Sequence, residues 1–469
     1  MERPRKNQGT RPESDRVFDG GQNRIPPGEA EGIQSVGPRR PVPAGHAFSK
    51  LIHRGCRLSI GRPVLSLGMA DSVGFEEPTR TDAVDFVYPS EEGDDTKSGI
   101  DYLLEGFRSE HPEVTIELNV VSADIADLEV KTRILRQLSP DMWMQWPGQN
   151  LRPFLEADLL MDLSDVWERG GLASHFSEGA RRVVSFDGTY RALPMTLHRA
   201  NDLFYNPALL ERAGVSPDRL SSPTEFLEAL ETIEQETDAS GMALPMRNPW
   251  PVLQVWETVL LAEHGHDVYR AVTSGGARAN SQAVRDALEW IERFIEFTPE
   301  GAVYSSLMDA CYQFIDGEVA LFPQGDWLSG ILEAEGMHYR DGWEHAPFPG
   351  TEGYYVVVMD AFVVASDTAN PAATTTFVEY AASEEAQVAF NRSKGSIPPR
   401  TDVSTEEFPP FLQSQQRAFT RSSEQPFSTA HGLAVTPTQF VELKSTIATL
   451  LVKRDVDRAA RQLVAVLDA

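Results

Sequence analysis

The chain reads as an α/β protein of two lobes, with mainly parallel sheet flanked by helices. Three features point there. Strand-like and helix-like segments alternate from residue 82 onward, the alternation restarts after Pro194, and 469 residues exceed what one core ordinarily organises. In order, "AVDFVYPS" is a strand ending in an aromatic and a proline. Ile100, Leu103, Leu104 and Phe107 then recur at helical spacing, and Pro112 ends that helix. Val114, Ile116, Leu118 and Val120 alternate as a strand, a helix is expected over about 124–138, and "SPDMWMQWPG" supplies another short strand. This order implies parallel pairing by crossover, and ligands bind beyond the carboxyl ends of such strands, here at Tyr88 and Trp146.

After Pro194, "SSPTEFLEALETIEQE" offers Ser222 as N-cap, Pro223 as first helical residue and Glu225 to complete a capping box, with Phe226, Leu230 and Ile233 as the buried stripe. Helices are expected across "NPWPVLQVWETVLLAEHG" and "SQAVRDALEWIERFIEF". "YYVVVMDAFVVAS" reads as a strand pair, and "NPAATTTFVEYAASEEAQVAF" as one helix capped by Asn370; the remainder is largely helical.

Composition narrows the function classes. The net charge is −28, and the 42 basic residues are 7 lysines and 35 arginines. Abundant carboxylates with few lysines describe a surface that holds water and cations in concentrated salt, at the cost of self-repulsion in dilute buffer. The composition resembles that of proteins from extreme halophiles. It disfavours a nucleic-acid partner, which needs a basic face. Residues 1–81 are rich in Pro, Gly and Arg without periodicity, and are expected to be a disordered or non-native leader. Cys56 follows Gly55 as at a lipoprotein attachment site, but His53 and Arg54 are wrong for that site and no intact signal peptide precedes it. Met69 is an alternative start, and Cys311 is expected to be a small core residue. No run approaches the ~18–20 apolar residues of a spanning helix.

The sequence has no P-loop, no GxGxxG opening a helix, no HExxH, no GxSxG and no paired CxxC, and no cofactor is expected. His264, His266 and Asp267 have metal-ligand character, but a solvated loop is the favoured reading, and Asn391 heads a formal glycosylation sequon. The stretch "DGEVALFPQGDWLSG" sets Asp326 beside Trp327. That pair admits three roles: a catalytic acid with its platform, a sugar-binding pair, or a tight turn with a core tryptophan. Tyr88, Trp143, Trp146, Trp250, Trp256 and Trp327 all fall at segment ends or among prolines. A flat ring packs the C–H face of a sugar, while Asp, Asn, Gln, His or Lys must satisfy its hydroxyls from several loops.

From about Asp82 to the C-terminus the chain resembles the extracellular solute-binding proteins of sugar ABC transporters, with a periplasmic-binding-protein-like fold, and most of all the glucose-type members. "PDMWMQWPGQNL", "ALPMTLHRANDLFYNPALL", "GEVALFPQGDWLSGIL", "APFPGTEGYYVVVMDAFVVA", "FNRSKGSIPPRTD" and "AHGLAVTP" carry the resemblance by their order and spacing. It implies a first lobe of residues 82–196 plus 354–392 and a second of 197–353 plus 393–469. It also implies closure about a hinge near Pro194, and delivery of a captured sugar to a membrane permease with an ATPase. A monomer outside the cytoplasm at the cell surface follows from the same likeness. By position, Trp327 is implied to floor the sugar, Asp360 to accept from two hydroxyls, and Lys394 and His431 to reach sugar oxygens. His198, Trp250 and Trp256 are implied to line the cleft, and Tyr88, Glu92, Met144 and Trp146 complete the candidate set. The chain departs from glucose-type relatives at Tyr88, Pro89, Met144 and Trp146, so the implied ligand is a small sugar, glucose or a related mono- or disaccharide. Asp326 is expected to be a turn or helix-capping acid, since "GDW" opens a helix. The rival reading is a carbohydrate-active hydrolase using Asp360 with a second carboxylate such as Asp326.

Overall fold

The computed structural model describes residues 83–90 and 96–469, so the expected leader, Cys56, Met69 and Glu92 lie outside the described residues. The first half follows the expected alternation. β1 (Val84–Pro89), α1 (Thr96–Glu110), β2 (Ile116–Val121), α2 (Ala123–Leu135) and β3 (Met142–Gln145) come first, and α1 stops just before Pro112. Two short strands, β4 (Leu193–Pro194) and β5 (His198–Arg199), lead into β6 (Asp202–Tyr205). Then come α3 (Pro223–Glu236), β7 (Ser240–Met242), α4 (Trp250–Ala271), α5 (Ser281–Ile295), α6 (Leu307–Ile315), β8 (Val319–Gln324), α7 (Leu328–Ala334) and β9 (Glu344–Pro347). β10 (Val357–Val358) and β11 (Ala361–Val364) precede α8 (Pro371–Ala381), α9 (Glu384–Lys394), α10 (Pro410–Arg421), α11 (Pro437–Lys453) and α12 (Val456–Leu467).

The expected mainly parallel sheets are present, each with one strand reversed. The first sheet has the order β2-β1-β3-β11-β4, with β1 parallel to β2 and β3 but β11 antiparallel to β3 and β4. The second has the order β9-β6-β8-β7, where β8 pairs in parallel with β7 and the reversed β6 pairs antiparallel with both β8 and β9. Traffic between the lobes is the reason. β3, β4, β8 and β9 run toward the junction, whereas β6 and β11 start from it and so point the other way. Local strand–helix–strand crossovers make the parallel pairs; strands returning from the junction cannot.

Each sheet has its own core. Phe86, Leu103, Phe107, Trp143, Leu193, Phe362 and Phe377 belong to the first. Leu203, Phe226, Leu230, Trp256, Ile291, Phe294 and Ile447 belong to the second. Cys311 sits in a satellite cluster with Phe204, Phe314 and Trp343, as a small core residue. Tyr355, Val357 and Met359 enter the first core, while Val356 and Val358 between them enter the second. Successive side chains of an extended strand point to opposite faces, so this one crossing strand is shared by both lobes. It pairs antiparallel with β5, Val357 opposite Arg199 and Val358 opposite His198.

Local signals are mostly obeyed. Ser222 caps α3 by accepting from the Glu225 amide at 3.2 Å, but the Glu225 carboxylate reaches back to the Ser221 amide (2.8 Å) rather than closing the box on Ser222. The helix expected in one piece after Asn370 is two, because Ser383 accepts from the Ala386 amide (3.2 Å) and starts α9 anew. Asn370 itself donates to the Ala83 carbonyl (3.0 Å) instead of capping α8. Asn391 is fully buried and donates to the Met195 and Gln387 carbonyls, both at 2.8 Å, so the acceptor side chain of its sequon has no access to solvent.

Candidate functional site

The chain passes the junction at residues 194–199, at 355–360 and again near Ile397, which bridges Leu197. Three polar side chains are set there by backbone hydrogen-bonded between the crossings. Asp360, between β10 and β11, is locked to the first crossing: its amide donates to Thr196 Oγ1 (3.0 Å), and its carbonyl accepts from the Met195 amide (2.8 Å). The Thr196 hydroxyl donates in turn to Asp360 Oδ2 (3.0 Å). On the same oxygen converge Lys394 Nζ (3.5 Å), from the last residue of α9, and His198 Nε2 (3.7 Å), from β5. All three residues are buried. Burial alone raises a carboxyl pKa, but Lys394, His198 and the Thr196 hydroxyl outweigh it and hold Asp360 below its ordinary value. Asp360 is therefore a fixed anion with one shared cation, suited to accept hydrogen bonds.

Beyond Asp360 lies an aromatic group from the second lobe. Trp327 opens α7, and Gly325 lets its indole fold back: a Cβ on Gly325 would stand 2.1 Å from the ring. The His431 imidazole is the hub, with ring centroids 5.0 Å from Trp327, 5.6 Å from Trp250 and 5.2 Å from Trp146, all edge-on. Trp250 lies 6.2 Å from Trp327, and His198 lies 5.8 Å from it. Trp146 reaches His431 from the end of β3, so the group joins the two lobes. Trp146, Trp250 and Trp327 are half-buried, whereas Trp143, Trp167, Trp256 and Trp343 are fully buried. Burial pushes the His431 pKa down to about 3, against the pull of Asp360, so its ring is neutral.

The structure thus brings together Trp327, Asp360, Lys394, His431, His198, Trp250 and Trp146. Trp256 is corrected to a core residue: it is buried in the second core and donates from Nε1 to the Val284 carbonyl (3.3 Å). Six residues along α4 from Trp250 is one and two-thirds turns, which puts it on another face of the helix. Tyr88 and Met144 are buried in the first core, Tyr88 edge-on to Phe86 at 6.0 Å.

Asp326 lies in the turn ahead of α7, one of its two expected roles, and only the capping role is corrected. It does not cap α7; its carboxylate is fully buried and turned to β5, Oδ1 lying 2.7 Å from His198 Nδ1 and Oδ2 accepting from the Arg199 amide (3.0 Å). Burial raises its pKa. It reaches the cluster only through the His198 ring, so two carboxylates do not face one bond, and the hydrolase reading finds no support. His264 and His266 lie on α4 rather than in a loop, paired with Asp286 (3.5 Å) and Glu424 (3.2 Å); no group of metal-ligating side chains occurs among the described residues.

Sequence reasoning missed Thr196, and it missed Glu257, a fully buried acid on α4. Its signal was an acid inside the apolar run "VLQVWETVLLA". Burial raises the Glu257 pKa to about 7, although Ser428, Tyr269 and the amides of Thr429 and Ala430 all hydrogen-bond the carboxylate and pull the other way.

The family model of bacterial extracellular solute-binding proteins matches residues 103–419. The chain is 36% identical over 352 residues to the xylose/arabinose-binding protein of Haloferax volcanii, covering 74% of this chain and 76% of the relative. It is 27% identical over 418 residues to an uncharacterized ABC transporter extracellular-binding protein of Pyrococcus horikoshii, covering 87% of this chain and 94% of the relative. Among solved structures, a chitin oligosaccharide binding protein superposes with a TM-score of 0.73 at 19% identity, over 83% of this chain and 99% of that one. This last likeness supports the two-lobe α/β fold.

Proposed function

The chain belongs to the family of bacterial extracellular solute-binding proteins, and on that premise we propose that it captures a small sugar at the lobe junction for an ABC importer. The carrying observation is the convergence of Asp360, Lys394 and His198 with Trp327, Trp250, His431 and Trp146 from both lobes. Trp327 floors the sugar ring. Asp360 accepts from adjacent hydroxyls, Lys394 donates to a ring or hydroxyl oxygen, and Trp146 meets the other side as the lobes close. Because the ligand touches both walls, it favours the closed arrangement. Monosaccharides, pentose or hexose, are the first candidates, as one relative is named for xylose and arabinose.

The same reading takes the protein as a monomer at the outer cell surface, handing its sugar to a permease and ATPase, and held there as a lipoprotein. No helix among the described residues is long and apolar enough to cross a membrane. The acidic, lysine-poor composition supports a high-salt environment. Titration calorimetry and tryptophan emission in molar salt, with xylose, arabinose, glucose and galactose, test the proposal. Saturable heat with an emission shift for at least one sugar is expected. No response to any of them, nor to disaccharides, would overturn it.

A further inference from the structure

Glu257 and Ser428 stand behind the site and touch no solvent. The carboxylate is filled: Oε1 lies 2.6 Å from Ser428 Oγ, and Oε2 accepts from the amides of Thr429 (2.6 Å) and Ala430 (3.2 Å) with the Tyr269 hydroxyl at 2.9 Å. Tyr269 belongs to the same helix, and it returns to Glu257 because Gly265 breaks α4 with φ 75° and ψ 174°. Ser428 Oγ lies also 2.8 Å from His431 Nδ1. The Asn150 side-chain amide donates to the His431 carbonyl (3.2 Å) from the first lobe, so both the ring and the carbonyl of that residue are held.

Proton counting decides how this chain runs. A carboxylate only accepts, and a serine hydroxyl has one proton to give. With Glu257 ionised, the Ser428 proton goes to Oε1, and Ser428 Oγ must accept from His431 Nδ1–H. A neutral imidazole carries one proton, so Nε2 is left bare. We infer that Glu257, acting through Ser428, holds His431 in the Nδ1–H tautomer, so that Nε2 meets the ligand as a hydrogen-bond acceptor. Glu257 and Ser428 are then positioning residues that set the polarity of the site. With Asp360, His431 then gives the site a second acceptor beside the donor Lys394, which suits a ligand rich in O–H donors. This last step rests on the sugar-binding reading; the tautomer does not.

The test is long-range 15N–1H spectroscopy of the imidazoles in the full, sugar-free chain at about pH 8.5, above the value of about 7 to which burial raises Glu257. His431 is assigned by difference with His431→Gln. A pyrrole-like Nδ1 and a pyridine-like Nε2 are expected. In Glu257→Gln the side-chain amide turns its N–H₂ to Ser428, which then donates to Nδ1, so the pattern should invert. Ser428→Ala, which removes the link, should also lose the Nδ1–H pattern, and each variant should bind sugar about tenfold more weakly. An Nε2–H tautomer in the unsubstituted protein, or an unchanged pattern in both folded variants, would overturn the inference. A response of the tautomer as expected, with no sugar bound by the unsubstituted protein, would instead count against the binding reading alone.

Discussion

Trp327 and Trp256 carry the same side chain to opposite ends, and substitution separates them. Trp256 is fully buried with its indole N–H satisfied, so Trp256→Ala should cost about 3–5 kcal/mol in urea unfolding. The folded fraction should keep its affinity. Trp327 is half-buried over Gly325, and Trp327→Ala should remove about 1.5–3 kcal/mol of binding, roughly ten- to a hundredfold by calorimetry, with little change in stability. Gly325→Ala tests the same platform without touching it: the new methyl displaces the indole, and affinity should fall although no proposed sugar contact is mutated. Which tryptophan did which job was only half legible in the sequence. Position beside a turn marked Trp327, but the same cue marked Trp256, whose rotation about α4 decided its fate.

α4 is the element where helix geometry and site meet. Its apolar run predicted a helix, yet the break at Gly265 and the purpose of Glu257 needed the fold. The backbone there, φ 75° and ψ 174°, lies in a region essentially reserved for glycine. Gly265→Ala should cost about 1–3 kcal/mol and loosen the Tyr269 contact to Glu257, read as faster hydrogen exchange over residues 428–431. Glu257 also sets a pH dependence. Its pKa rises from 4.5 to about 7 on folding, with Tyr269 as the titratable neighbour on its own helix and His431 facing it through Ser428. Between those values the folded state binds more protons than the unfolded one. The contribution is therefore fully present below about pH 4.5 and is lost as pH rises through about 7. Urea midpoints measured from pH 5 to 8 should show this slope, and Glu257→Gln should flatten it.

At the scale of the molecule, the charge of −28 predicts that the compact state is strained by self-repulsion in dilute buffer. The melting temperature should climb steeply between about 0.1 M and about 2 M KCl as screening shortens from ~10 Å to ~2–3 Å. A flat response would show that the surface carboxylates are compensated locally. The shared crossing strand also predicts cooperation between lobes: Tyr355, Val357 and Met359 pack on one core, Val356 and Val358 on the other.

Periodicity, caps and prolines were enough to place β1, α1, β2, β3, α3 and α5, because each depends on neighbours within a few residues. The tryptophans of the site were legible at turn positions for the same reason, whereas Asp360, Lys394, His431 and His198 were implied by the family resemblance. What the sequence left open was every property that joins distant segments. The sense of β6 and β11 depends on which way the chain leaves the junction. Asp326 was drawn from its expected cap to His198 because a buried carboxylate is satisfied by whatever donors the fold brings within reach. The Glu257–Ser428–His431 chain joins residues more than 170 positions apart, and no local preference encodes a contact of that span.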